Sequence, residues 1–298
     1  MLRRAPQLTR IAVIGTGAVG ATVAAWLIAN PAHAVTLCAR TPFETLRVET
    51  PEGELLSNPA ILTDPASADP VDWVLAVTKT YDAPGAQRWL DRLVGPDTRV
   101  AILQNGVEHR TRFPGLNPDH IVPVIVDIPA ERHAPGHVVQ RRTGTMTVPS
   151  GTAGAAFAAL FAHSPIALDQ TDDWLSAAWR KLAINCAGAV NALTLRPAEV
   201  AHDPDVAALM RGLVRECIAV GRAEGADLDD ALADRVVDGY RNSPGDSINS
   251  IHADRIAGRP TEADARNGVI ARLGERHGID APLNRMADIL IRSAAPPT

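Results

Sequence analysis

Residues Arg10–Gly20 read RIAVIGTGAVG, and the fold follows from them. Arg10–Gly15 is a short apolar run ending in glycine, the pattern of a buried parallel strand. Gly15-Thr16-Gly17-Ala18-Val19-Gly20 then gives G-x-G-x-x-G, directly after that strand and opening a helical segment, Ala18–Asn30, that Asn30-Pro31 stops. Each glycine has its own task. The first permits a tight turn, the second lets the backbone approach a pyrophosphate, and the third lets helix and strand pack closely. The helix N-terminus faces the phosphate charge. A glycine-rich turn without a ligand is the bland alternative, and the strand-turn-helix context favours a dinucleotide site.

Outward from this unit, Ala34–Ala39, Asp72–Thr78 and Arg99–Leu103 are further apolar runs, with a helical segment at Ala83–Val94. Strands alternating with helices predict a parallel, doubly wound α/β sheet of Rossmann type. From Ile121 to Pro149, short β-like runs broken by Pro135-Gly136 and Gly144 predict an antiparallel edge to the same sheet. After Asp172 the pattern is helical: Asp173–Ala187, Asp203–Glu224, Leu228–Tyr240, Thr261–Gly278 and Pro282–Ser293. Thr261-Glu262-Ala263-Asp264 resembles a capping box. The expected division is a dinucleotide-binding domain over 1–170 and an all-helical domain over 171–298.

The second strand ends Cys38-Ala39-Arg40-Thr41, with no acid where a ribose 2′-hydroxyl would need one. Arg40 there can pair with a 2′-phosphate, so NADP(H) is favoured over a merely solvated arginine.

Composition narrows the function. The 298 residues carry 29 Lys+Arg against 34 Asp+Glu, a net charge of −5, and no basic patch for nucleic acid is expected. Hydrophobic residues at 46% suffice for a core, and exclude disorder as the main theme. Three scattered cysteines, Cys38, Cys186 and Cys217, suit neither a disulfide framework nor a metal site. MLRRAPQLTR lacks the apolar stretch of a signal peptide, and no apolar run spans a bilayer, so a cytoplasmic protein without membrane partners is expected. Of nine histidines, His133 and His137 have zinc-helix spacing but straddle a Pro-Gly turn, so no metal is expected. There is no G-x-S-x-G elbow for a serine hydrolase.

Four further segments bring a family into view: Val77-Thr78-Lys79, Gln104-Asn105-Gly106, Trp179-Arg180-Lys181-Leu182-Ala183-Ile184-Asn185 and Thr261-Glu262-Ala263-Asp264-Ala265-Arg266-Asn267-Gly268. With the glycine turn they resemble the ketopantoate reductase (2-dehydropantoate 2-reductase) family, from about Arg10 to Ile291. The resemblance implies NADPH-dependent reduction of a 2-oxo acid, first of all 2-dehydropantoate to pantoate, in a cleft between a Rossmann-type and a helical domain. Carried over by motif, the proton donor is Lys181. Asn105 contacts cofactor or substrate, Lys79 lies near the cofactor phosphate or the substrate, and Glu262 contacts the cofactor and supports the lysine. Ser250 falls on the family serine twelve residues before that glutamate, and Ala130 on the position whose backbone meets the nicotinamide. The family's second helix asparagine is replaced by Ala189 in a segment that looks less helical, with Asn191 two residues late, and Leu195 stands where a polar residue is expected. These departures weaken selectivity for ketopantoate.

The chemistry is consistent with that assignment. Hydride transfer to a ketone builds charge on the carbonyl oxygen, which needs a proton donor and fixed hydrogen-bond donors. Lys181 suits the first need, and Trp174, Trp179, Leu182 and Ile184 are expected to desolvate it. Asn185, four residues on, shares its helix face. Glu262 is expected at the first turn of its helix, where the macrodipole also favours a carboxylate. Other outcomes are a reductase of another 2-oxo acid or carbonyl, or an NADP(H)-binding sensor without turnover. Monomer and homodimer are both compatible with the sequence.

Overall fold

The computed structural model describes residues 8–294, which divide into two compact units: residues up to 104 with 108–174, and 105–107 with 175 onward. In the first unit the chain runs β1 (Thr9–Ile14), α1 (Ala18–Ile28), β2 (His33–Cys38), β3 (Leu46–Thr50), β4 (Gly53–Ser57), β5 (Ala60–Leu62), β6 (Trp73–Ala76), α2 (Ala83–Leu93) and β7 (Arg99–Ile102). It continues with β8 (Ile121–Pro123), β9 (Ile125–Asp127), β10 (Ala130–Ala134), β11 (His137–Gln140), β12 (Thr145–Pro149), α3 (Thr152–Leu160) and β13 (Ala167–Thr171).

Six strands form the main sheet in the order β5-β2-β1-β6-β7-β8, every neighbouring pair parallel. The order reverses between β1 and β6, and ligands of such sheets bind beyond the carboxyl ends at that switch point. The glycine turn follows β1, and Thr78 and Lys79 follow β6, on its two sides. Helix α1 has no charged residue and buries eight of its eleven, because it is covered both by the main sheet and by the strands of a second one. Trp26 ties it there, its indole N–H donating to Gln140 Oε1 at 3.1 Å.

The expected antiparallel edge over Ile121–Pro149 is not formed. Only β8 joins the main sheet, and it does so in parallel. The rest leaves it for two small sheets, β10-β11-β3-β4 and β13-β12-β9. The reason lies in a hairpin with no strong sequence signal, β3–β4, whose edge offers β11 a parallel partner. Gly136 makes this approach possible, since a Cβ there would sit 2.3 Å from the Thr45 carbonyl oxygen.

The second unit is helical: α4 (Trp174–Ala187, in this unit from Leu175 onward), α5 (Ala189–Thr194), α6 (Pro204–Ala223), α7 (Leu232–Arg241), α8 (Ser250–Ile256), α9 (Val269–His277) and α10 (Pro282–Ser293). Its core is built by Trp179, Leu182, Met210, Leu213, Val214 and Ile270 among others. Asp203 caps α6, accepting from the amides of Asp205 and Val206. Two sequence expectations change here. Ala189–Thr194 is helical after all, because Gly188 lets Asn249 and Tyr240 press within 2.7 Å of where a Cβ would stand. The helix expected from Thr261 begins at Ala263, opens with a π turn over Asp264–Gly268, and has no side-chain cap. Among the described residues no helix is long and apolar enough to cross a membrane.

Candidate active site

In the first unit the glycine turn is built as its spacing demands. Gly15 has φ +99°, and Gly20 packs so close that a Cβ would lie 1.9 Å from the Gly15 carbonyl oxygen. Gly17 differs, because a Cβ there would meet no atom within 4 Å. Protein packing does not require that glycine, whereas an approaching pyrophosphate would. Gly17 places no side chain over the start of α1, so the amides around Ala18 and Val19 remain available to an anion. Thr16 completes the turn. These residues fit a dinucleotide.

Arg40 follows β2 with a side chain 87% exposed, 3.4 Å from Asp82. It is therefore an ion-paired surface arginine whose guanidinium a phosphate can reach. Lys79 is half-buried and starts the turn Thr80–Asp82 after β6. Ala130 opens β10, opposite Gln140.

Gln104 and His109 carry more of this site than their sequence context suggested. The Gln104 amide donates to the carbonyl and hydroxyl oxygens of Thr78, both at 2.9 Å, lacing the end of β7 to the end of β6. His109 Nε2 donates to the Gln104 carbonyl at 2.8 Å, and its ring meets Trp174 edge-on at 5.1 Å. Burial, then the charges of Arg112 and Arg110, hold His109 down to about 3 from 6.5. The unfolded chain thus takes up this proton below 6.5 and the native state does not until about 3, so the contribution is present above 6.5 and lost as pH falls toward 3. Wild-type melting temperature is expected to drop between pH 7 and 4.5, and His109→Gln to flatten that drop. Equal slopes for both proteins would show that other groups govern it.

In the second unit, Asn105, Asn185 and Glu262 come together from three distant parts of the chain. Asn105 Nδ2 donates to Glu262 Oε2 at 2.8 Å, and Asn185 Nδ2 reaches Asn105 Oδ1 at 3.4 Å. Asn185 and Glu262 are nearly closed off from solvent, at 9% and 5% exposure. Lys181 is half-buried one turn before Asn185 on α4. Its expected apolar surround is not built. Trp179 and Leu182 turn into the helical core, Ile184 is exposed, and Trp174 packs with His109 in the first unit. Glu262 stands immediately before the helix that begins at Ala263, so it lies at the positive end of that helix as well as accepting from Asn105.

Residues 11–153 and 173–294 match the two parts described as ketopantoate reductase PanE/ApbA and its C-terminal region. The chain belongs to the ketopantoate reductase family. A 2-dehydropantoate 2-reductase of Caulobacter vibrioides is 60% identical over 97% of this chain and all of its own. One from Mycobacterium tuberculosis is 39% identical over 96% of this chain and 98% of its own. The crystal structure of a PanE/ApbA family ketopantoate reductase from Ralstonia eutropha superposes with TM-score 0.87 at 31% identity, covering 95% of this chain and 97% of that one. A D-mandelate dehydrogenase with NADH and anilino(oxo)acetate shares the fold at TM-score 0.83 and 20% identity, over 95% and 97% of the two chains.

One of the family motifs turns out to contain a structural residue. Asn267, wholly buried, donates to the Cys186 carbonyl at 3.1 Å and to Asn284 Oδ1 at 2.9 Å, joining α4 to α10. Asn191 does not move toward a ligand. Its amide nitrogen donates to the carbonyls of Arg196 and Pro197, at 2.9 and 3.0 Å, and its oxygen accepts from Asn249. That brace holds the turn at Leu195, whose φ of 54° puts a branched side chain in the left-handed region. Ala189 is fully buried in the helical core.

Proposed function

We propose that this protein reduces 2-dehydropantoate to pantoate with NADPH, and that Lys181 delivers the proton. The observation that carries this reading is the hydrogen-bonded set Asn185, Asn105 and Glu262, with Lys181 one helical turn away, in a chain of this family. Relatives named 2-dehydropantoate 2-reductase at 60% and 39% identity support the substrate.

When bound, NADPH supplies the hydride that reduces the carbonyl carbon. The glycine turn holds its pyrophosphate, and Lys79 and the Ala130 backbone are assigned to it on the family pattern. The Lys181 ammonium stabilises the charge that develops on the carbonyl oxygen and then protonates it. Glu262 fixes the Asn105 amide by accepting one of its N–H groups, and Asn105 in turn fixes Asn185. These bonds orient both amides in advance of the substrate. Ser250 is assigned to the substrate as well.

Arg40 is assigned to the 2′-phosphate, with Asp82 competing for it. NADPH is expected to bind at least about tenfold tighter than NADH, the ratio that one charge-assisted contact supports. Arg40→Ala should remove most of that ratio, and equal affinities in the wild type would remove the assignment.

The deciding experiment is NADPH oxidation with ketopantoate and with 2-oxoisovalerate, which lacks the hydroxymethyl group. Turnover of ketopantoate is expected. Because Ala189 faces the core and Asn191 is committed to the Leu195 turn, kcat/KM for the two acids should agree within about tenfold. NADPH binding without turnover of any 2-oxo acid would mark a sensor instead.

A further inference from the structure

Arg266 is 2% exposed, and the site described above does not use it. A guanidinium keeps its charge in a protein, and buried charge is costly unless an opposite charge meets it. Yet Arg266 Nη2 donates to a neutral group, the Ser250 hydroxyl, at 2.6 Å, and its buried Nε has no hydrogen-bond partner. Carboxylates of neighbouring elements are taken by other arginines. Asp254 of α8 pairs with Arg259, Asp264 of the π turn with Arg272, and Asp288 of α10 with Arg292. Tyr240 feels the charge of Arg266, but burial dominates and pushes the phenol up to about 12, so it supplies no negative partner. Tyr240 instead donates to the Ile184 carbonyl, beside Asn185.

Ser250, the first residue of α8, is exposed. A serine hydroxyl has one hydrogen to donate and accepts through its lone pairs. Since the guanidinium donates to Ser250 Oγ from beneath, the hydroxyl hydrogen is turned away from Arg266, toward the open side. The π turn is what carries Arg266 to this place while Asn267 stays locked to Cys186 and Asn284.

We propose that Arg266 is the positioning residue for the substrate carboxylate. It makes Ser250 a donor facing outward, and it holds behind that hydroxyl a positive charge that the carboxylate of a 2-oxo acid would neutralise. The assignment rests on the reductase reading and concerns which end of the substrate is recognised, not the hydride step.

The test compares 2-oxoisovalerate with its methyl ester, which differ at the carboxylate, in wild type, Arg266→Met and Arg266→Lys. The wild type should favour the acid. Arg266→Met should raise KM for the acid about 10–100-fold, the span of a charged hydrogen bond, with a much smaller change for the ester. Neither kcat nor NADPH affinity should follow, and Arg266→Lys should recover part of the loss. A rise in KM that is equal for acid and ester, or no rise, overturns the proposal. Should Arg266→Met not fold, Ser250→Ala at the surface takes its place, and an unchanged acid-to-ester ratio there overturns it equally. A wild type that binds NADPH but reduces no 2-oxo acid overturns the reductase reading, and this assignment with it. Turnover with an unmoved ratio overturns the assignment alone.

Discussion

Lys181→Ala is expected to lower kcat by about 10²–10⁴, the usual span for a positioned general acid. Alanine is the best helix former, and position 181 is half-buried in the middle of α4, so the fold should tolerate the change. NADPH affinity should be nearly unchanged, because the glycine turn and Arg40 belong to the other unit. The measurement is steady-state kinetics with ketopantoate, accompanied by NADPH fluorescence titration and a thermal melt. A variant with wild-type kcat and only a raised KM would make Lys181 a uniform binding group and not the proton donor. If kcat falls as expected, Glu262→Gln separates two roles of the carboxylate. The Asn105 bond survives in that variant, since an amide oxygen also accepts, while the charge is lost.

The glycine turn offers the second large effect, and it divides in two. Gly17→Val adds a side chain where no protein atom lies within 4 Å of a Cβ, at an extended φ of −71° that valine accepts. Its melting temperature should stay near that of the wild type, while NADPH affinity falls by about 100-fold or more, the loss of two or more charge-assisted amide contacts. Gly20→Ala is the reverse case. Its Cβ would stand 1.9 Å from the Gly15 carbonyl oxygen, backbone against backbone, so α1 must shift off β1. Overpacking of this kind costs about 1–3 kcal/mol or more, and the melting temperature should fall whether or not cofactor is present. Wild-type NADPH affinity in Gly17→Val would remove the pyrophosphate from this turn.

Much of this was written in local sequence. The strand, three glycines and apolar helix of Arg10–Asn30 declare a βα turn, since each glycine answers a constraint within a few residues of itself. The parallel sheet, the change to helices after Asp172 and the long helix from Asp203 are legible for the same reason: hydrophobic periodicity acts over one or two turns. Lys181 and Asn185 share a helix face by spacing alone.

What needed the tertiary structure has no local signal. Asn105 and Glu262 lie 157 residues apart, and a hydrogen bond between them leaves no periodic trace. The strands after Ile121 left the main sheet because a hairpin elsewhere offered them a partner. The desolvating cluster expected around Lys181 dissolved because neighbours in sequence point to different faces: Leu182 inward, Ile184 outward. Arg266 looked like one more charge in a motif until the π turn buried it beneath Ser250. The sequence by itself determined most of the elements and the glycine turn, because short-range sterics and hydrogen bonding decide those. The partners of each buried polar group were decided only by packing, because that choice depends on which distant element fills the space opposite.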